Sequence, residues 1–182
     1  MRKIYVVIIA SLLLSVIMIV TLKAQDVKEN HEIVKEESDI TSLNNQIPLF
    51  EFLQQDGTPF SKYDLDKQRN LILVYFDPDC GLCEKSGAFF KTFAKLHASS
   101  QVIFTSPASW DNMIDYKERH ELDKVSNVSF LQCDSDQFFT LFKEAGTPTY
   151  FIYDKKQELV KTINDQLPAP LLIKYIKGAQ ME

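Results

Sequence analysis

Arginine and cysteine are both scarce in this 182-residue chain, and each shortage excludes something. The arginines are Arg2, Arg69 and Arg119, which leaves little with which to clamp phosphates. The formal net charge is −5. Residues 1–25 hold Arg2, Lys3 and Lys23 and no acid, so the rest of the chain is more acidic still. A nucleic-acid partner is therefore not expected, because nothing would neutralise its backbone. The cysteines are Cys80, Cys83 and Cys133, too few for a disulfide scaffold. No internal repeat or low-complexity tract is visible. Apolar content of 45% and charged content of 25% are ordinary for a globular protein, so one domain with modest extras is expected.

The extras lie at the N-terminus. Arg2 and Lys3 precede an apolar run from Ile4 to Val20, broken only by Ser11 and Ser15. The run is longer than the ~7–15 apolar residues of an ordinary cleaved signal and reaches the low end of a membrane-spanning helix. Positive charge before it and acids after it put the remainder outside the cytoplasmic membrane. Residues 1–25 thus read as a membrane anchor, or as a signal segment cut after Ala24. Residues 26–45 carry six acids, two lysines and no aromatic side chain, and read as a solvated tether. Residues 46–182 form the domain. Its location is extracytoplasmic, on the periplasmic side or secreted if the segment is cleaved, where disulfides persist.

Within the domain, 48–53 and 58–63 read as a β-hairpin around Gln54-Gln55-Asp56-Gly57. Six consecutive apolar residues, Leu71 to Phe76, predict a strand buried on both faces. A helix follows from Cys80 to His97, then strands at 101–105 and 128–133. Helices are expected at 109–122, capped by Ser109 or Asp111, and at 135–145, ended by Gly146. A last hairpin spans 149–153 and 158–163, and a helix over 168–180 closes the chain. The fold class is α/β, a mixed sheet flanked by helices.

Chemistry concentrates where the first buried strand gives way to a helix. There Cys80-Gly81-Leu82-Cys83 places the first thiol at the helix start and the second one turn in. Backbone N–H groups and the helix dipole favour a Cys80 thiolate, the species that attacks disulfides, and Cys83 stands ready to resolve the mixed disulfide. Zinc is a poor alternative, because only Cys133 and scattered His31, His97 and His120 remain to complete four ligands. Two inert buried thiols remain an alternative. The reading calls for no metal and no cofactor. Further on, Pro148 stands directly before a buried strand, where it cannot donate to the ladder. A cis Thr147–Pro148 bond would bring it beside the cysteines and let the Thr147 backbone pair with an extended substrate.

Together these features resemble the thioredoxin-like superfamily. The buried strand, the CxxC at a helix start, and Thr-Pro ahead of a β-hairpin are similar to thioredoxin. So is the run VSFLQCDSDQFFTLFKEAGTPTYFIYD. The upstream hairpin, the inserted αβ unit and the anchor look more like TlpA-type redoxins, over about residues 47–180. The resemblance implies a thiol–disulfide oxidoreductase, a disulfide reductase of the cell envelope. Its partners would be protein thiols and disulfides there and an upstream thiol electron donor.

The chain departs from that pattern. Asp79 stands where the family commonly has Trp, the Glu further along the helix is absent, and so is the kink proline near Ala88. Val74 occupies the place of thioredoxin's buried acid. Asp77, Asp79 and Glu84 are therefore the candidates for proton transfer or tuning, if not simply solvated charges. A carboxylate at Asp79 opposes the Cys80 thiolate, which would make the couple more reducing. Cys133, at the end of a strand, is either a third thiol of the site or a stray buried one. Trp110, Met113 and Tyr116 lie at helical spacing, as packing residues do.

Three other functions compete. A peroxiredoxin-like peroxidase needs Thr or Ser three residues before its reactive Cys, where this chain has Asp77. A Sco-type copper protein has its cysteines four apart and a downstream His. A non-catalytic envelope binding module would show no disulfide exchange.

Overall fold

A computed structural model describes residues 45–95, 97–144, 146–164, 170 and 173–175. The expected anchor and, except for Asn45, the tether lie outside these residues. Among the described residues, no helix is long and apolar enough to cross a membrane.

The sheet is built around the apolar run read from the sequence. β3 (Asn70–Tyr75) is buried at every position. It pairs in parallel with β4 (Ser100–Ser106), which pairs in parallel with β5 (Val128–Gln132). On its other side lies β6 (Thr149–Tyr153), antiparallel, followed by β7 (Leu159–Asn164). The N-terminal hairpin of β1 (Glu51–Leu53) and β2 (Pro59–Ser61) joins through the pair Leu53 and Gln132, giving the order β2-β1-β5-β4-β3-β6-β7. This is the mixed α/β sheet the sequence predicts, flanked by helices.

Strand alternation sorts the core onto two faces. Ile72, Val74, Phe104 and Phe130 point to one, where α1 (Gly81–Thr92) and α2 (Trp110–Arg119) pack through Cys83, Phe90, Met113 and Tyr116. Leu71, Leu73, Ile103 and Phe151 point to the other, covered by α3 (Ser135–Phe142) through Phe138 and Phe142. Met113 and Tyr116 are therefore packing residues, and the partly buried Trp110 joins them.

Several boundaries differ from expectation. The expected second strand stops at Ser61, because Ser61 and Asp64 form a reciprocal capping box that starts a 3-10 turn at Lys62–Asp64. α1 ends at Thr92 rather than His97. There the chain turns back so that the wholly buried His97 sets Nε2 2.8 Å from the Phe90 carbonyl. α2 stops at Arg119, and Glu121 takes a left-handed φ of 52° ahead of a 3-10 turn at Leu122–Lys124. α3 begins where Asp134 Oδ1 accepts from the Gln137 N–H, and it ends at Lys143 (φ 60°), not at Gly146. The closing helix lies mostly outside the described residues; 173–175 are helical.

His97 carries a prediction about stability. Asn127 Nδ2 donates to its Nδ1 at 3.0 Å, so the proton sits on Nε2 and serves the Phe90 carbonyl. Burial holds this imidazole below its ordinary pKa, against the hydrogen bond it donates to the Phe90 carbonyl. The unfolded chain then takes up the proton first, near the ordinary value of ~6.5. Stability is complete above that pH and falls as acid is added below it, until the folded pKa is passed. Urea midpoints at pH 7.5 and 5.5 should differ in the wild type and differ less in His97→Gln. An equal loss in both would contradict this assignment.

Candidate functional site

The site forms at the C-terminal edge of the central strands. β3 and β6 run side by side with Tyr75 opposite Thr149, so the loops leaving one and entering the other are neighbours. The first carries Asp77 to Cys80; the second carries Gly146 to Pro148. The Thr147–Pro148 peptide bond is cis. Thr149 Oγ1 donates to the Gly146 carbonyl at 2.7 Å and ties that turn together. Cys80 Sγ lies 3.7 Å from the Thr147 carbonyl oxygen, across 67 residues of sequence.

Cys80 is the N-cap residue of α1, extended at φ −85° and ψ 122°, with its own carbonyl accepting the first helical bond from the Glu84 N–H. Burial of Cys80 opposes ionisation. Hydrogen bonds from the Cys83 and Leu82 N–H groups, and contacts with the Cys83 side chain and Thr147, outweigh it and hold the thiol below its ordinary value. A partly exposed sulfur that accepts from two N–H groups with no helical partner is well placed to act as a nucleophile.

Cys83 is the opposite case. It is wholly buried beside Val74 and Phe90, and burial pushes its thiol up to about 12 despite the Asp77 N–H at 3.5 Å from its sulfur. One thiol is presented and the other withheld. The two are free, not joined, in this structure.

The acidic candidates separate. Asp77 is exposed; its Oδ1 accepts from the Asp79 N–H at 3.0 Å, and its charge acts on the Cys83 thiol. Asp79 is exposed, and its backbone N–H is the group that Asp77 holds. Glu84 is committed elsewhere. Its carboxylate lies 2.7 Å from Arg119 Nη2 and 2.7 Å from His120 Nε2, which draws it towards α2.

Cys133 does not join the pair. It follows β5 directly, on the other face of the sheet with Tyr75 and Phe138, and burial raises its thiol to about 11. Among the described residues, no group of three or more His, Cys, Asp or Glu side chains is placed to hold a metal ion.

Residues of α2 that no sequence motif marks also reach the site. The Tyr116 hydroxyl donates to the Cys83 carbonyl, and the His120 ring covers Gly87. A Cβ on Gly87 would lie 2.5 Å from that ring and 2.8 Å from the Tyr116 oxygen, so only glycine admits both. The spacing of Met113, Tyr116 and His120 on one helical face was the available signal.

No protein-family model matches the chain, and no curated protein matches it in sequence. Solved structures do match in shape. A secreted Mycobacterium tuberculosis disulfide oxidoreductase homologous to E. coli DsbE superposes with a TM-score of 0.60 at 14% identity, over 71% of this chain and 95% of that one. A thiol:disulfide interchange protein of the thioredoxin family from Chlorobium tepidum gives 0.61 at 17%, over 74% and 95%. The exposed lipoprotein thioredoxin Etrx1 of Streptococcus pneumoniae gives 0.54 at 20%, over 71% and 98%. At these identities the likeness establishes the fold, which is thioredoxin-like.

Proposed function

We propose that the chain is an extracytoplasmic thiol–disulfide oxidoreductase acting through Cys80 and Cys83. The observation that carries this reading is the division of labour between the two thiols: Cys80 partly exposed at a helix N-terminus with its pKa lowered, Cys83 buried with its pKa raised. The Cys80 thiolate attacks a substrate disulfide, forming a mixed disulfide and releasing one substrate thiolate. Cys83 then loses its proton and attacks Cys80 Sγ; the second substrate thiolate leaves, and the Cys80–Cys83 disulfide remains. The substrate is reduced by two electrons and the pair is oxidised, to be restored by an upstream thiol donor. Asp77 is the carboxylate best placed to take the Cys83 proton, since its charge already acts on that thiol. Thr147 and Pro148 would hold the substrate backbone beside Cys80.

Residues 46–182 form the redox domain in this reading, with 26–45 as tether and 1–25 as membrane anchor or signal. The apolar run and its flanking charges support that placement, as do folds of the same shape that are secreted or exposed at a cell surface. Reductase is the proposed direction. A strong oxidant owes its potential to a strongly stabilised thiolate in the reduced form. Here burial disfavours the Cys83 thiolate, so the reduced pair is not stabilised as a charged couple throughout. Equilibration of the full chain with glutathione and dithiothreitol buffers is the test. A reversible two-electron couple well below about −120 mV is expected; a value that high would rule out the reductase direction, and no couple at all would rule out the function.

A further inference from the structure

The contacts that α2 makes with the site are few, polar and gathered at one end. Arg119 Nη2 lies 3.3 Å from the Pro78 carbonyl and 2.7 Å from Glu84 Oε1. Pro78 stands just before the CxxC and Glu84 just after it, so a single guanidinium spans the motif. One turn earlier on α2, the Tyr116 hydroxyl donates to the Cys83 carbonyl between those two points. His120 Nε2, 2.7 Å from the other Glu84 oxygen, closes the same group over the Gly87 notch. Arg119 also reaches Asp115 on its own helix, an exposed partner that does not touch the motif.

We propose that Arg119, with Tyr116, is a positioning residue for thiol exchange, fixing the first turn of α1 by holding the chain on both sides of the Cys80–Cys83 segment. The proposal rests on the redox reading above and deepens it. Its physical content is geometric. The Leu82 and Cys83 N–H groups face the Cys80 sulfur only while this first turn keeps its place, and a helix end frays first. Nη2 alone donates to both the Pro78 carbonyl and the Glu84 carboxylate, while Nη1 is held by Asp115, so the planar guanidinium is fixed in orientation by its second arm, which a lysine ammonium lacks. The same guanidinium also keeps the Glu84 charge neutralised close to the thiolate.

The groups facing Cys80 and its turn are Asp77, Asp79 and Glu84 from its own segment, Cys83 beneath it, and Tyr116, Arg119 and His120 from α2. Of these, Arg119 removes both the span and the neutralising charge when replaced. Residue-resolved alkylation of the fully reduced full-length chain across pH reads the consequence directly. In Arg119→Gln, Cys80 should react about threefold more slowly or worse at pH 7, with its pH midpoint moved upward. Tyr116→Phe should move the midpoint the same way. Lys91→Gln removes a comparable ion pair from the far end of α1, that with Glu121 at 2.7 Å, and should leave the midpoint where it is.

Wild-type midpoints in both Arg119→Gln and Tyr116→Phe, whatever their unfolding temperatures, would overturn the proposal. So would an equal shift in Lys91→Gln, which would mark the effect as general loosening. Should Arg119→Gln not fold, Arg119→Lys keeps the charge and loses the fork, and a smaller upward shift is expected; none would count against the span. Absence of exchange in the wild type would remove the redox reading, yet the Cys80 midpoints would still report on the bracket.

Discussion

A Cys80→Ser chain loses disulfide exchange by roughly three orders of magnitude or more, because an alcohol is neither ionised at neutral pH nor able to form the mixed disulfide. Cys83 cannot substitute for it. Its sulfur is wholly buried and its thiol sits at about 12, so a folded protein substrate cannot reach it and little thiolate exists to attack. Cys83→Ala should fail differently. Attack by Cys80 still occurs, but nothing displaces the substrate, and a covalent adduct accumulates. Non-reducing electrophoresis of envelope extracts, followed by peptide mass analysis, distinguishes the two: adducts through Cys80 in Cys83→Ala, none in Cys80→Ser. Exchange within tenfold of wild type in Cys80→Ser would end the assignment, as would adducts found on Cys83 in that variant.

Phe138→Ala should be the most damaging of the simple truncations, at about 3–5 kcal/mol. α3 has eight residues, too few to persist alone, so its attachment to the sheet decides whether it exists. Phe138 supplies much of that attachment. Its ring stacks on Tyr75 at 4.1 Å and on Phe142 at 4.5 Å, and meets Phe151 edge-on at 5.9 Å. Removing it opens a cavity between rings that cannot close over it. Against a total of about 5–15 kcal/mol, this is a large share of the stability of the domain. The adjacent Phe139 is 53% exposed, and Phe139→Ala should lie within about 0.5 kcal/mol of wild type. Urea unfolding of the two variants reads the contrast; a Phe138→Ala cost below about 1 kcal/mol would mean that α3 is not held as described.

The two variants probe what was unequally legible in the sequence. Leu71 to Phe76 announced a central strand because six apolar residues in a row leave no polar face. The CxxC announced its own place because it follows that strand directly. Helix ends were harder. α1 stops short because His97, outside the helix, reaches back to Phe90, and no local rule foretells that. α3 stops at Lys143 because a lysine adopts a conformation usually left to glycine, so the later Gly146 was the wrong marker. The bracket was invisible for another reason: Glu84 and Arg119 lie 35 residues apart and meet only after α2 folds back.

Because β6 enters the sheet beside β3 after β4 and β5 have been made, the site is one of the last features of the domain to be completed along the chain. A growing polypeptide presents Cys80 and Cys83 well before Thr147 exists to meet them. Cys133 emerges between the two halves, and its shelter includes Phe151 and Tyr153 of β6. For that interval the three thiols are chemically alike, and discrimination among them arrives only with the last central strand. In the proposed oxidising compartment, folding would have to outpace thiol oxidation, since any pairing with Cys133 joins residues that the finished sheet holds on opposite faces.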